Sequence, residues 1–288
     1  MSCTNIIRSY LKCDTTNAEV IETIKTKIAN EERFSLVRFG DGDVSLFVKG
    51  VRTPMKRKLC ENWGYEYQSN LQQATDADML ELADFNKEAA EDVFRIYSNA
   101  IMNADIIGFL DIVDKGNKAQ FKLNVDFKTK LSCFLFKHDL AHSLGYDSSK
   151  HRICDHQIMR RRNIGEITAF RDILQGKPIH IISTRTNELK ENRIEELLKA
   201  GVTYTDVDIN ETLKWSQENL DRFLGIKEKV ILFANGAGGK NIGGFLKKQL
   251  GAICLDIGAT LDTWGGLITR KSIKGKQKYL VVKNKQSI

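Results

Sequence analysis

At 288 residues, 42% hydrophobic, 28% charged and with only two prolines, the chain is long and apolar enough to bury a core, which argues against a disordered or fibrous protein. Its first residues, Met1 to Arg8, lack an apolar signal core and no stretch approaches the roughly 18 apolar residues of a spanning helix, so a cytoplasmic location is expected. The formal charge of +7 sits at one end, because the basic residues before Thr263 are balanced by acids; a neutral body argues against nucleic acid as a partner.

In chain order, Thr16-Asn17-Ala18-Glu19 has capping-box spacing, and Val20, Ile21, Ile24 and Ile28 repeat at helical intervals to about Glu31. The run Phe34 to Phe39 is a strand stopped by the acidic glycine turn Gly40-Asp41-Gly42-Asp43. Helical periodicity from about Asp76 to Asn103 precedes a buried strand over Ile106 to Leu110. Helices are expected around Phe127 to Gly145 and Asp155 to Arg162, with 114–165 a possible lobe over one sheet edge. Beyond Gly165 the alternation is regular, with helices Glu166 to Leu174, Glu188 to Ala200, Glu211 to Leu224 and Lys240 to Leu250. The intervening strands are Ile179 to Ser183, Val202 to Val207, Lys229 to Ala234 and Ala252 to Ile257. Such alternation implies crossover units and a mostly parallel, Rossmann-like α/β sheet flanked by helices, forming one domain over 1–269. The final segment, 270–288, carries Arg270, Lys271, Lys274, Lys276, Lys278, Lys283 and Lys285 without an acid. It fits peripheral contact with an anionic membrane, at about 1 kcal/mol per cation, or is a solvated end.

Three places can carry chemistry. In Arg38-Phe39-Gly40-Asp41-Gly42-Asp43, two carboxylates one residue apart on a glycine-permissive turn can aim at one hard cation, Mn²⁺ or Mg²⁺; alternatively both aspartates cap the following helix. In Val230 to Asn241 a strand enters the turn Asn235-Gly236-Ala237-Gly238, where helix N-terminal amides can approach a phosphate. It departs from the Walker A and dinucleotide fingerprints, and the other reading is a tight strand-to-helix connection. Asp256 and Gly258 close the last strand, where ligands of open parallel sheets bind.

The histidines give less. His138 and His142 have zincin spacing with Asp139 in place of the glutamate. His151, Asp155 and His156, ahead of Arg160 to Arg162, can supply a general base and charge for a diphosphate, or form a solvated basic helix. Cys154 beside them raises the question of a thiol nucleophile. The six cysteines form no C-x-x-C pair, so a zinc ribbon, redox motif or disulfide framework is not expected.

Over about Phe34 to Trp264 the sequence resembles the GT-D-type glycosyltransferases of bacterial surface-polysaccharide and glycoprotein pathways. The match lies in Phe34 to Asp43, similar to a strand ending in Arg-aromatic-Gly-Asp-Gly-Glu, and in the Asn235-Gly236-Ala237 turn followed by Ala252 to Gly258. Asp43 stands where that family has Glu, and Ala259 where relatives often have His. The resemblance implies a metal-dependent transfer of sugar from a nucleotide diphosphate donor, a UDP-sugar first among them, to a glycan or lipid-linked acceptor. Asp41 and Asp43 would hold the metal. Arg38, Gly40, Gly42, Asn235, Gly236, Ala237, Gly238 and Gly258 would frame the donor, and Asp155, His156 and Asp256 would be the catalytic candidates. The alternatives are another nucleotide-dependent transferase or phosphatase, and a catalytically silent Rossmann-like binding module with a basic docking tail.

Overall fold

The computed structural model describes residues 13–40, 42–44, 46–47, 87–109, 136, 140, 143–156, 158, 164–189 and 193–267. Helix α1 (Asn17–Ala29) starts in the expected capping box: the Thr16 hydroxyl accepts the Glu19 N–H at 3.3 Å while the Glu19 carboxylate accepts the Thr16 N–H at 2.7 Å. Its buried stripe is Val20, Ile24 and Ile28, one helical face at the 3.6-residue period. Then follow β1 (Phe34–Phe39), α2 (Lys87–Asn103), β2 (Ile106–Phe109), β3 (Arg152–Asp155), α3 (Ile164–Leu174), β4 (Ile179–Ser183), a 3₁₀ turn (Thr186–Glu188), α4 (Arg193–Leu198) and β5 (Val202–Asp206). The chain continues through α5 (Ile209–Thr212), α6 (Gln217–Asp221), β6 (Val230–Ala234), α7 (Gly236–Leu250), β7 (Ile253–Asp256) and α8 (Thr260–Trp264).

The seven described strands make one sheet in the order β3-β2-β1-β7-β6-β4-β5, and every pairing in it is parallel. The sheet is thus wholly parallel, a Rossmann-like arrangement with helices on both faces. Its central strands are buried on both sides, which is why Val230 to Phe233 reads as a continuous apolar run. Ile231 and Phe233 enter the core shared with α2 and α7, whereas Val230 and Leu232 enter the one shared with α1, α3 and α4.

Four expectations need correction. The helix expected from Asp155 fails there, because Arg152–Asp155 pairs with β2 in the register Ile106↔Arg152. Residues 159–162 lie outside the described residues, as do most of 114–165 and the helix expected around Phe127. The short β3 is held as a strand by its own edge partner: Asp14 and Thr15 donate to the Ile153 carbonyl at 3.0 and 3.1 Å, and the Asp14 carboxylate accepts the Ile153 N–H at 2.7 Å. That edge is thereby covered against pairing with another chain. The helix expected over Glu211 to Leu224 divides into α5 and α6, the second capped by the Ser216 hydroxyl. That over Glu188 to Ala200 does not begin at its expected start, since Leu189 after the 3₁₀ turn is extended, and α4 ends at Leu198; residues 190–192 lie outside the described residues. Helix α7 begins at Gly236 rather than Lys240, one turn earlier than glycine-rich sequence suggests.

Packing explains that early start. Ten consecutive residues of α7, Ala237 to Leu246, are buried, so its glycines are spaces for neighbours. A Cβ on Gly243 would come within 2.5 Å of the Phe233 ring, and one on Gly244 within 2.9 Å of Asn103 Cβ on α2. Gly243→Val is expected to cost about 1–3 kcal/mol through overpacking, despite better helix propensity; an unchanged urea midpoint would show that the Phe233 ring can move aside.

On β4, buried His180 lies within hydrogen-bond reach of Thr203 and Thr205, at 2.6 and 2.9 Å, and Thr203 donates to Glu228 at 2.8 Å. With its hydroxyl committed to Glu228, Thr203 accepts from Nδ1–H, and Thr205 donates to Nε2, which is a neutral imidazole. Burial lowers the His180 pKa below its ordinary 6.5, with Glu228 opposing in part. The unfolded chain therefore binds the proton more readily, so this stabilisation is complete above about pH 6.5 and is lost as the pH falls below it. His180→Gln should flatten the decline in urea midpoint between pH 7 and pH 5; an identical decline in the variant would refute the assignment.

Candidate active site at the ends of the central strands

The C-terminal ends of β1 and β7 lie side by side, with Leu36 paired to Leu255, and α7 crosses above them. The C-terminal strand ends are the edge at which open parallel sheets take their ligands, and the crevice lies between these two.

Arg38, the penultimate residue of β1, is 5% exposed and organises this edge. Its backbone N–H donates to Asp256 Oδ2 at 3.1 Å, its Nη2 to Asp256 Oδ1 at 3.1 Å and its Nε to the Asp256 carbonyl at 2.5 Å. Nη1 reaches the carbonyls of His156 and Ile158 at 3.2 and 3.3 Å. One guanidinium thus joins β1, β7 and the turn after β3, using the fixed fork that only arginine presents. It passes over Gly108 of β2, where a Cβ would lie 2.7 Å from Arg38 Cγ.

Beyond Phe39 the chain turns into helix. The Val44 N–H donates to the Gly40 carbonyl at 3.0 Å, and Asp43 Oδ2 accepts the Gly40 N–H at 2.8 Å, so Asp43 caps that helix, as one reading of the turn expects. Its other oxygen, Oδ1, lies 2.9 Å from Lys240 Nζ, and the same ammonium is 3.7 Å from Asp256 Oδ2. Lys240 also donates to the Gly236 carbonyl at 2.9 Å and stands 5.6 Å from the Phe39 ring centre. Buried Lys240, Asp256 and Arg38 with half-buried Asp43 therefore form one chain of alternating charge.

An aromatic floor supports it. Phe39, Phe47, Tyr97 and Phe136 meet with ring centres 5.0 to 6.1 Å apart. The Tyr97 hydroxyl donates to the Asp43 carbonyl at 2.9 Å. Burial, then the charge of Asp43, pushes the Tyr97 pKa well above 10, so it stays a donor.

The structure thus brings Arg38, Gly40, Asp43 and Asp256 together; Gly42 lies in the same helical turn as Asp43, while Asp41 is outside the described residues. Asn235 ends the strand beside this group and is 2% exposed, with neither amide atom of its side chain hydrogen-bonded. Gly236 has φ +63°, a conformation that needs glycine. The following glycine and its neighbour are explained by packing: a Cβ on Gly238 would strike Thr212, and one on Gly239 the Asn235 amide. Ala237 is buried. Gly258, at φ +47°, gives its carbonyl to the Leu261 N–H at 3.0 Å in the turn into α8.

Asp155 and His156 lie farther out, two strands from β1, with Asp155 Oδ1 3.3 Å from His156 Nδ1. The Asp155 side chain is 29% exposed, whereas Cys154 is buried, and burial first of all raises its thiol pKa well above the ordinary value. A buried neutral thiol is no nucleophile. His138, His142, Arg160, Arg161, Arg162 and the basic tail lie outside the described residues.

No group of three or more His, Cys, Asp or Glu side chains converges as a metal site among the described residues. Both Asp43 oxygens and both Asp256 oxygens already face internal donors, so a divalent ion does not fit between these two carboxylates as they stand. Sequence reasoning singled out neither Lys240 nor Gly108 nor Tyr97. Lysine in a helix of otherwise small and apolar buried residues was the available signal for the first.

A family profile described as a GT-D fold-like domain matches residues 15–264, and the chain belongs to that family. Comparison with curated proteins and with solved structures gave no match. The matched span contains all seven described strands of the sheet and the residues that form the crevice. No described helix is long and apolar enough to cross a membrane.

Arg38→Lys keeps the charge but cannot reproduce the fork, leaving carbonyls of Asp256, His156 and Ile158 without donors. A loss of about 3–5 kcal/mol in urea denaturation is expected; a loss under about 1 kcal/mol would show that Arg38 is not the organising group.

Proposed function

We propose that the protein is a glycosyltransferase that moves a sugar from a nucleotide diphosphate donor, a UDP-sugar first among them, to a hydroxyl of a glycan or lipid-linked acceptor. One observation carries this reading: in a chain of the GT-D-like family, the β1/β7 crevice gathers Asp43, Asp256, Arg38 and Lys240 at the strand ends where such folds take ligands.

In this reading the donor lies across the ends of β1, β7 and β6. The unbonded amide of Asn235 supports a place for the nucleotide there, since a buried amide without partners costs about 1–3 kcal/mol that a ligand's polar group would recover. Gly236, Ala237 and Gly238 form the start of α7 beneath it. Asp256 is the scaffold carboxylate, held on both oxygens. Transfer breaks the bond between the anomeric carbon and the diphosphate oxygen, forms one to the acceptor oxygen, and requires a base for the acceptor proton. Asp155 is the candidate, because it is partly exposed and has His156 beside it. The Mn²⁺ or Mg²⁺ of this reading would call on Asp41, which lies outside the described residues. Attachment to the inner face of an anionic membrane through 270–288 belongs to the proposal and rests on sequence alone.

The engagement of Asp43 and Asp256 in internal ion pairs favours a second reading, a catalytically silent module. Release of nucleoside diphosphate from a panel of nucleotide sugars, with Mn²⁺ or Mg²⁺ present, separates the two: turnover with any donor supports the enzyme, and none with all of them supports the module. Given turnover, Asp155→Asn should lower kcat by about 10²-fold or more at unchanged donor KM and melting temperature. A wild-type kcat would remove Asp155 from the base role.

A further inference from the structure

Lys240 is placed unlike an ordinary surface lysine. Its side chain is 3% exposed, on a helix whose neighbouring residues are small so that it can lie against the strand ends. Its three ammonium directions meet Asp43 Oδ1 at 2.9 Å, the Gly236 carbonyl at 2.9 Å and, more loosely, Asp256 Oδ2 at 3.7 Å, with the Phe39 ring on a further side. Arg38 cannot serve Asp43 as well, since its guanidinium is committed to Asp256 and to the carbonyls of His156 and Ile158. The only described cation between the two carboxylates is therefore Lys240.

We propose that Lys240 is a tethered counter-ion standing where a divalent cation would otherwise lie between Asp43 and Asp256, so that the ligand-free protein takes up such cations weakly. Two carboxylates directed at one point are the oxygen-donor type that Mn²⁺ and Mg²⁺ prefer. A covalently tethered ammonium is present at high effective concentration, and a single positive charge there repels Arg38 less than a double one. Divalent affinity at such oxygen sites follows the ligand charge left uncompensated. Removing the ammonium leaves Asp43 and Asp256 with Arg38 as their only counter-charge among the described residues, and thereby opens the pair to a divalent ion.

This inference deepens the reading of the crevice as a donor site and rests on it for its meaning, yet its test needs no turnover. The full chain is titrated with Mn²⁺ alone and free Mn²⁺ is read by electron paramagnetic resonance, for wild type, Lys240→Gln, Lys240→Arg and the double variant Lys240→Gln/Asp43→Asn. Lys240→Gln should bind Mn²⁺ at least about tenfold more tightly than wild type, Lys240→Arg should stay weak, and the double variant should return to the wild-type level. Equal affinity in wild type and Lys240→Gln overturns the proposal, as does a gain that persists in the double variant. Should Lys240→Gln lose its near-ultraviolet circular dichroism, Asp43→Asn alone decides: Mn²⁺ uptake equal to wild type upholds the tethered counter-ion, and abolished uptake overturns it. A gain of Mn²⁺ by Lys240→Gln, with no nucleotide sugar hydrolysed by wild type, would keep this inference and remove the enzyme reading.

Discussion

The contact between Arg38 and Asp256 is the constraint from which the C-terminal edge of the sheet follows. It ties the penultimate residue of β1 to the last residue of β7 by three hydrogen bonds, one of them from the Arg38 backbone. Because the guanidinium must also reach the turn after β3, it crosses β2, and β2 accordingly carries Gly108 at the crossing. Helix α7 brings Lys240 to 2.9 Å from Asp43 and 3.7 Å from Asp256, and a helix that close to the sheet has no room for side chains at Gly239 and Gly243. Residues distant in sequence, Gly108 and Gly243, thus answer to one electrostatic arrangement.

Below that edge the two cores keep the arrangement rigid in different ways. On the α2/α7 side, aromatic rings fill the space beneath Asp43, and Tyr97 combines ring packing with a hydrogen bond to its carbonyl. On the other side aliphatic residues of α1, α3 and α4 dominate, with Phe170 stacked on Trp264 at 5.8 Å. Tightly packed interiors transmit displacement instead of absorbing it, so an altered ring under Phe39 is felt at the cap of the next helix.

Much of the fold was legible because its signals are local or periodic: the Thr16 capping box, the apolar runs of β1, β4, β6 and β7, and the helix-strand alternation after Gly165. The strand Arg152–Asp155 was not, because four residues carry too little period and its pairing depends on β2 and on Asp14, far away in sequence. The α7 start was hidden because glycine lowers helix propensity, and only the packed neighbours show why glycine is used. In the candidate site, Arg38, Asp43 and Asp256 stood out as charged residues at strand ends. Their mutual pairing did not, since Arg38 and Asp256 are 218 residues apart and only strand order joins them. The role of Lys240 was concealed by the glycine motif that surrounds it.

Stability alone does not account for four charges in such a place. Replacing a buried ionic group with apolar residues of similar volume is commonly neutral or stabilising, whereas removing a single member is costly. The surrounding cores are apolar on both faces of the sheet, and apolar side chains at these positions would have extended them. Among the described residues the quartet of two anions and two cations is also close to neutral, so under the proposed reading a diphosphate would gain no net attraction there until a pairing is broken or a further cation arrives with it. That requirement separates an anion merely drawn to a positive surface from one that must exchange partners with Asp43 and Asp256. Under the proposed reading such a crevice would discriminate by the exchange it demands, and Lys240, whose unbranched side chain makes the looser contact to Asp256, 3.7 Å against 3.1 Å for Arg38, is the group best suited to make it.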